Sequence, residues 1–458
     1  MDKASLREQN ARTRTLLNEI QQSLPYQLGG LLLQLRHPGK WIDLPDALRK
    51  LSLARRLNVS GDDLQRYAKS AGLRKSLAEA PATALFQLVP QIAGELSWSA
   101  AAEFAAKYGR PGYENATSLI TANLSLNDDD GWLSALNAYI KPFGLLPLKL
   151  SNGSGSKFDR LEVDVTKYVK QGDLITVIMP AFNAEKTVRK AAESILSQTW
   201  SNLELIIVDD CSTDSTWEII QSLAVVDPRV KPVRNVVNVG PYVCKNLALR
   251  LVKGKYLTGH DADDWAHPER LENDIAVILE SGGRVRAVLS AMLRMNPAGE
   301  FSRFNRIGPF SQDGVSRVAA ISLLTDVEYF REFLGAWDSV RFSADGELIG
   351  RAQKIMGNQF VAVHHIGMIG LDLPSSLSND PLHGVSNING KSRTRRAYSD
   401  EYRAWHRKIR INTAKLAFPP DQRPFRAPEA MIVSANAIQK NIAFNQEQLS
   451  NNSSYVKK

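Results

Sequence analysis

The sequence predicts an α/β protein whose central domain is a doubly wound, mostly parallel sheet, preceded by an all-α N-terminal domain and followed by a basic helical C-terminal extension. Three observations carry this prediction. Leu174-Ile-Thr-Val-Ile-Met179 and Leu203-Glu-Leu-Ile-Ile-Val208 are short apolar runs rich in β-branched residues, about thirty residues apart. Between them Val188, Ala191, Ala192, Ile195 and Leu196 fall on one helical face, so strand, helix and strand form a right-handed crossover unit. Polar clusters follow the strands, at the carboxyl ends where such sheets bind their ligands.

From residue 1 to about 145 the pattern is helical, with apolar residues three and four apart in Asp46–Leu57 and Asp62–Lys69 and no strand signal. No repeat of 30 to 45 residues is present, so 1–150 reads as an irregular helical domain of unwritten role. Ser151-Asn-Gly-Ser-Gly-Ser-Lys157 has the composition of a flexible connection and places a linker at 151–170. The sheet domain occupies 171–390. Within it Ser215 and Glu218 form a capping-box signature, and Trp217, Ile220 and Leu223 give that helix an apolar side. Val230 to Val233 is a third strand, Pro241 opens a third helix where proline is tolerated, and Lys255 to Thr258 is a fourth strand. A basic helical extension is expected over 391–440, and 441–458 is expected to be a disordered tail.

The 458 residues allow two or three domains around a large core. No run approaches the eighteen or so apolar residues that span a bilayer, and the N-terminus lacks the apolar core of a signal peptide, so a cytoplasmic protein is expected. Two cysteines, Cys211 and Cys244, supply neither a disulfide framework nor a metal quartet. The net charge of +9 favours anionic partners without identifying one, and no nucleic acid is expected.

The chemistry concentrates after the fourth strand. Asp261, Asp263 and Asp264 lie within four positions, and like charges that close repel unless solvent or a cation neutralises them. Mg²⁺ or Mn²⁺ suits such hard oxygen ligands, and a site with one or two carboxylates completes itself on substrate phosphates. The plainer reading is a solvated turn ahead of the helix that Pro268-Glu269 opens. Two further clusters stand at the same sheet edge: Pro180-Ala-Phe-Asn183 after the first strand and Asp209-Asp-Cys-Ser-Thr-Asp214 after the second. No G-x-G-x-x-G follows the first strand, and Gly384 to Ser392 has five residues between its glycines where a phosphate loop needs four. His364 and His365 are adjacent on a strand and point to opposite faces, which favours a structural role.

With Val177-Ile-Met-Pro-Ala-Phe-Asn183, Gln198 to Asp214, Asn238-Val-Gly240, Lys245-Asn246 and Asp261-Ala-Asp-Asp264 assembled, the stretch from about 172 to 390 resembles the family 2 glycosyltransferases of the GT-A fold. Lys245 stands where the family carries Arg, keeping the charge and losing the planar fork. The resemblance implies an inverting, metal-dependent enzyme that moves a sugar from a nucleotide-diphosphate donor, UDP-linked, to a glycan or lipid-linked saccharide in polysaccharide biosynthesis. It implies donor contacts from Pro180, Phe182, Asn183, Asp209, Asp210, Asn238, Gly240, Lys245, Asp261 and Ala262, and a cation, Mn²⁺ or Mg²⁺, on Asp261 and Asp263. The acceptor side is expected at Trp337, Asp338 and Glu347, with Asp345 as the base that takes the acceptor proton. The family shows Glu-Asp where this chain has Ala344-Asp345, which leaves Asp345 matched and weakens the place of Glu347.

Two rivals remain at this stage. A nucleotidyltransferase on a related sheet would need a Gly-rich basic loop after the first strand, which Pro180-Ala-Phe-Asn183 is not. A non-catalytic binding subunit would have no use for the acidic clusters. Last, 391–410 holds a dense run of Lys and Arg in which Tyr398, Tyr402 and Trp405 recur at helical spacing. Packing of this stripe against the sheet domain is favoured, with peripheral contact to an anionic membrane as the alternative.

Overall fold

The computed structural model describes residues 89–95, 97–108, 112–304, 311–374, 376–377, 379–380, 382–386 and 390–455. The helices expected at Asp46–Leu57 and Asp62–Lys69 lie outside the described residues. The chain divides into two compact units, 1–110 and 111–458. In the first, the described residues form helices Val89–Glu95 and Trp98–Tyr108.

The second unit is α/β. It begins with helices α1 (Glu114–Leu124) and α2 (Asp129–Ile140), which the sequence assigned to the helical domain. They belong to the sheet's unit because their inward residues lock onto it. Asn123 exchanges hydrogen bonds with the backbone of Phe301 at 2.7 and 2.8 Å, and the buried Trp132 donates its indole N–H to the Gly299 carbonyl at 2.8 Å. The Gly/Ser stretch expected as a flexible connection is the loop of a hairpin between β1 (Leu148–Leu150) and β2 (Leu161–Val163), pinned where Lys157 pairs with Asp129. An ion pair from the buried Lys157 to the half-exposed Asp129 is what the composition of that loop does not disclose.

The main sheet has nine strands: β3 (Ile175–Ala181), β4 (Leu203–Asp209), β5 (Val230–Arg234), β6 (Tyr256–Gly259), β7 (Asp264–Ala266), β8 (Ala287–Met295), β9 (Arg317–Val318), β10 (Leu324–Asp326) and β11 (Phe360–Leu371). The order is β5-β4-β3-β6-β10-β8-β11-β7, with β9 on β8. The first four are parallel, as the sequence predicts. The remainder is mixed, which corrects the expectation of a mostly parallel sheet: β10 runs antiparallel to both β6 and β8, β7 antiparallel to β11, and β9 antiparallel to β8. β7, β9 and β10 are two or three residues long, too short for a period-2 pattern to register.

Both faces of β3, β4 and β6 are covered, which is why these strands are predominantly apolar, whereas the edge strand β5 leaves Lys231 and Pro232 exposed. Ile175, Val177 and Met179 of β3 point with Leu203, Leu205 and Ile207 of β4 into one core, closed by α3 (Val188–Leu196), α4 (Thr216–Val226) and α6 (Arg270–Glu280). The alternate residues Ile178, Ile206 and Val208 enter a second core with α5 (Pro241–Leu249), α7 (Ala344–Met356) and α8 (Arg393–His406). Tyr398 and Tyr402 of α8 are buried there and the rings of Tyr398 and Trp405 pack on Phe425, so the aromatic stripe faces the protein, as favoured. After α8 the chain is largely irregular to 434. A final helix, α9 (Ala435–Tyr455), replaces the expected disordered tail, because Asn441 and Ile442 are buried. Asn441 accepts from the amides of Val236 and Val237 at 2.9 and 3.1 Å and donates to the Val237 carbonyl at 2.8 Å. Among the described residues no helix is long and apolar enough to cross a membrane.

Candidate active site

The carboxyl ends of β3, β4 and β6 lie side by side, and each continues into one of the polar clusters read from sequence. After β3, Pro180 is buried in the strand, Phe182 is 49% exposed, and Asn183 turns the chain with φ +47°. The Asn183 side chain accepts from the Thr213 amide at 2.9 Å, while its own amide donates to Ser212 Oγ at 3.0 Å, so the first loop is stitched to the second. Among the described residues three non-glycine positions have positive φ, Asn183, Cys211 (+63°) and Ser343 (+75°), and all three border this site. Backbone held in the left-handed region costs free energy and tends to collect where function fixes geometry.

Asp209 and Asp210 have different tasks. Asp210 is saturated by protein: its carboxylate accepts from Asn235 Nδ2 at 2.9 Å and from the amides of Val239 and Gly240 at 3.0 and 2.6 Å. It thereby shapes the turn Asn238-Val-Gly240, where Gly240 has φ +81° and a Cβ would come within 3.3 Å of Arg341 Cα. Asn238 is held by Arg341 Nη1 at 3.0 Å. Asp209 keeps Oδ2 without a hydrogen bond, 3.4 Å from Arg234 Nε, and burial pushes its carboxyl upward. A buried acceptor with a spare oxygen suits a ligand donor. α4 is capped by Asp214, which accepts from the Thr216 amide at 3.0 Å, and not by the expected Ser215 side chain.

Beyond β6 the chain turns through Asp261-Ala-Asp263 into β7. Ala262 is buried, leaving room for close approach, and the turn is braced from behind by His260 Nε2, 3.1 Å from the Asp264 carbonyl oxygen. Desolvation pushes the Asp261 carboxyl up to about 6, and the neighbouring Asp263 and Asp345 add to it against the opposing pull of Lys245. Asp263 is raised by the same desolvation, partly offset by Arg294. Neither side chain is fully closed off from solvent, so they line a cleft. Among the described residues no group of three or more His, Cys, Asp or Glu is set to hold a metal ion. Two desolvated, mutually repelling carboxylates nonetheless fit a Mg²⁺ or Mn²⁺ ion completed by substrate phosphates. Asp264 turns away, accepting from the Leu371 amide at 3.2 Å with Arg294 Nη1 at 3.9 Å.

Asp345, in the first turn of α7, faces the same cleft. Lys245 Nζ lies 2.9 Å from its Oδ1 and the Tyr242 hydroxyl donates to Oδ2 at 3.1 Å. Lys245, expected as a diphosphate contact, is buried under this pair, with its ammonium 4.8 Å from the Tyr242 ring centre and 5.8 Å from that of Trp337. Trp337 is buried beneath Lys245. Asp338 is buried with Tyr398 (2.8 Å) and Arg423. Glu347 is fully buried, forked onto Arg351 at 2.9 and 3.0 Å with His406 Nε2 at 3.0 Å, and the structure does not bring it to the cleft. Tyr242, Arg294 and His260 were not singled out from the sequence. Tyr242 stands one turn before Lys245 on α5, a spacing that signals a shared face.

The sequence between 176 and 288 matches the family model described as Glycosyl transferase family 2. That match runs from β3 into β8, within the sheet domain. Over 105 residues the chain is 42% identical to the putative colanic acid biosynthesis glycosyl transferase WcaA of Escherichia coli strain K12, covering 22% of this chain and 37% of that protein. Over 103 residues it is 38% identical to the Escherichia coli UDP-Glc:alpha-D-GlcNAc-diphosphoundecaprenol beta-1,3-glucosyltransferase WfaP, covering 22% and 40%. The aligned segment thus spans less than half of each relative. Among solved structures, S. aureus TarS 1–349 in complex with UDP-GlcNAc overlaps with a TM-score of 0.36 at 21% identity, covering 44% of this chain and 59% of that one.

Proposed function

We propose that the protein is a glycosyltransferase that moves a sugar, with inversion, from a UDP-linked donor to a glycan or lipid-linked saccharide during polysaccharide biosynthesis. The observation that carries this reading is the meeting of Asp261, Asp263 and Asp345 at the sheet edge where Asp209, at the end of β4, keeps a spare oxygen. Asp209 accepts from the donor's base or ribose and Phe182 offers it an aromatic wall, on a loop whose geometry Asn183 and the Asp210-braced Asn238-Gly240 turn fix. Asp261 and Asp263 would hold Mn²⁺ or Mg²⁺, which would supply charge neutralisation for the leaving diphosphate. Asp345, oriented by Lys245 and Tyr242, takes the proton of the attacking hydroxyl as the new C–O bond forms and the nucleoside diphosphate departs. The match of 176–288 to the family 2 model and the similarity to a putative colanic acid biosynthesis glycosyl transferase and to a UDP-Glc-dependent glucosyltransferase support the reading.

The test is incubation of the full chain with a panel of nucleotide sugars and Mn²⁺, following release of nucleoside diphosphate, alongside calorimetry with UDP. UDP binding that is weakened in Asp209→Asn, together with metal-dependent release from one donor, is the expected result. Absence of UDP binding, or release from no donor at any acceptor, overturns it.

A further inference from the structure

On the other flank of the Asp261–Asp263 turn stands a group of arginines of which only Arg294 has a part in the site described above. β8 ends at the same sheet edge as β6, separated from it by the antiparallel β10. Arg294 lies two residues beyond Met292 on β8, and Arg317 of β9 stands opposite Met292, so both side chains rise from one face of the sheet. Arg294 crosses Gly370 of β11 to reach Asp264: a Cβ on Gly370 would come within 2.9 Å of its Cδ and Nη1. Arg303 completes the group, forked onto Asp372 at 2.9 and 3.1 Å.

Arg294 and Arg303 thus have carboxylate partners. Arg317 differs: it is solvent-exposed, and among the described residues no carboxylate lies within ion-pair distance of it. Desolvation, with Arg294 and Arg303 as like-charged neighbours, pushes its guanidinium down to about 10 against the opposing pull of Asp264 and Asp372. An accessible cation set beside two others on one face of a sheet attracts an anion. The sheet order decides which substrate brings it. Asp209, Phe182 and the Asn238-Gly240 turn lie on the β3-β4-β5 side of the aspartate turn, whereas the arginines lie on the β8-β9-β11 side.

We infer that Arg317, set beside Arg294 and Arg303, seats an oxyanion of the acceptor, a phosphate or a uronate carboxylate, next to the cleft that holds Asp261 and Asp263. The inference rests on the glycosyltransferase reading for the word acceptor, and on the arginine geometry alone for the anion site. Arg's planar fork accepts either group in two parallel hydrogen bonds.

The experiment uses the full chain with UDP and Mg²⁺ saturating, and compares binding of glucose, glucose 1-phosphate and glucuronate by calorimetry in the parent and in Arg317→Gln and Arg317→Lys. Glucose 1-phosphate or glucuronate is expected to bind better than glucose and to lose about tenfold or more in Arg317→Gln, with Arg317→Lys between. Whichever anion shows the larger loss names the source. UDP affinity, measured first, is expected to be equal in all three proteins. Anion affinities unchanged by Arg317→Gln overturn the site, and a loss of UDP affinity in Arg317→Gln moves the arginine to the donor and overturns the acceptor assignment. Failure of the parent to bind UDP counts against the transferase reading instead, and the anion comparison is then read without nucleotide.

Discussion

Lys245 Nζ sits 2.9 Å from Asp345 Oδ1, and both belong to a pair that is closed on one side by protein and open on the other to the cleft. The lysine side chain is 2% exposed and the aspartate 20%. Replacing Lys245 by Met removes the ammonium while leaving its carbon stem, so Asp345 loses one of two anchors. A kcat lowered by about 10²-fold with UDP affinity unchanged is expected, as for a group acting through the base. Loss of UDP binding with kcat retained would return Lys245 to the diphosphate.

Asp263→Asn removes one of the two charges that face the proposed cation without changing side-chain size. Mn²⁺ binding by calorimetry should weaken sharply and transfer should nearly vanish, while the thermal unfolding midpoint of the metal-free protein stays level or rises, because a desolvated charge is gone. Full activity of this variant in chelator-treated buffer would sink the metal assignment.

Glu347→Ala tests a residue that the structure withdraws from the acceptor side. Arg351 would be left as a buried guanidinium facing only carbonyls and His406 would lose its acceptor, so unfolding free energy should fall by about 3 to 5 kcal/mol. Urea titration measures it. KM values for the fraction that stays folded should be unaltered; a KM shift without loss of stability would restore Glu347 to substrate.

His267 is buried and its Nε2 lies 3.0 Å from the Leu146 carbonyl; desolvation pushes its imidazole down to about 4. The folded state therefore resists protonation where the unfolded chain accepts it. The stability this group contributes is fully present above pH 6.5 and is lost as pH falls toward 4, at about 1.4 kcal/mol per pH unit. His267→Gln should flatten that part of the stability profile; an unchanged slope would locate the acid sensitivity elsewhere.

Arg393, Arg396 and Arg403 are exposed along α8, whereas Arg395 is anchored to Ser343 Oγ at 2.9 Å and stacked 4.9 Å from the Phe342 ring centre. Membrane contact, if made, uses the exposed three. Anionic vesicles should co-sediment the parent in low salt and release the triple Glu variant. Equal recovery in the supernatant with anionic and neutral vesicles would end the membrane reading.

The parallel half of the sheet was legible because β3 and β4 are long, apolar on both faces and separated by a helix with one clear apolar side. The mixed half was not, since β7, β9 and β10 offer two or three residues each and gain their place from neighbours distant in sequence. The same distinction runs through the site. Acidic residues clustered along the chain could be read as chemistry, but Asp210 and Glu347 turn out to serve the backbone and the core, which depends on Asn235 in one case and on Arg351 and His406 in the other. Arg317 gave no signal because its neighbourhood is assembled across strands.

The hydrogen bonds that Asn441 accepts from the amides of Val236 and Val237 join positions 205 and 204 residues apart. During synthesis the loop that leads into the Asn238-Gly240 turn emerges long before the helix that holds it. The proposed donor side of the cleft would therefore be the last part of this domain to mature, and a ribosome-bound chain that has emerged as far as α9 should already contain its sheet while its Asn238-Gly240 turn is still unsettled.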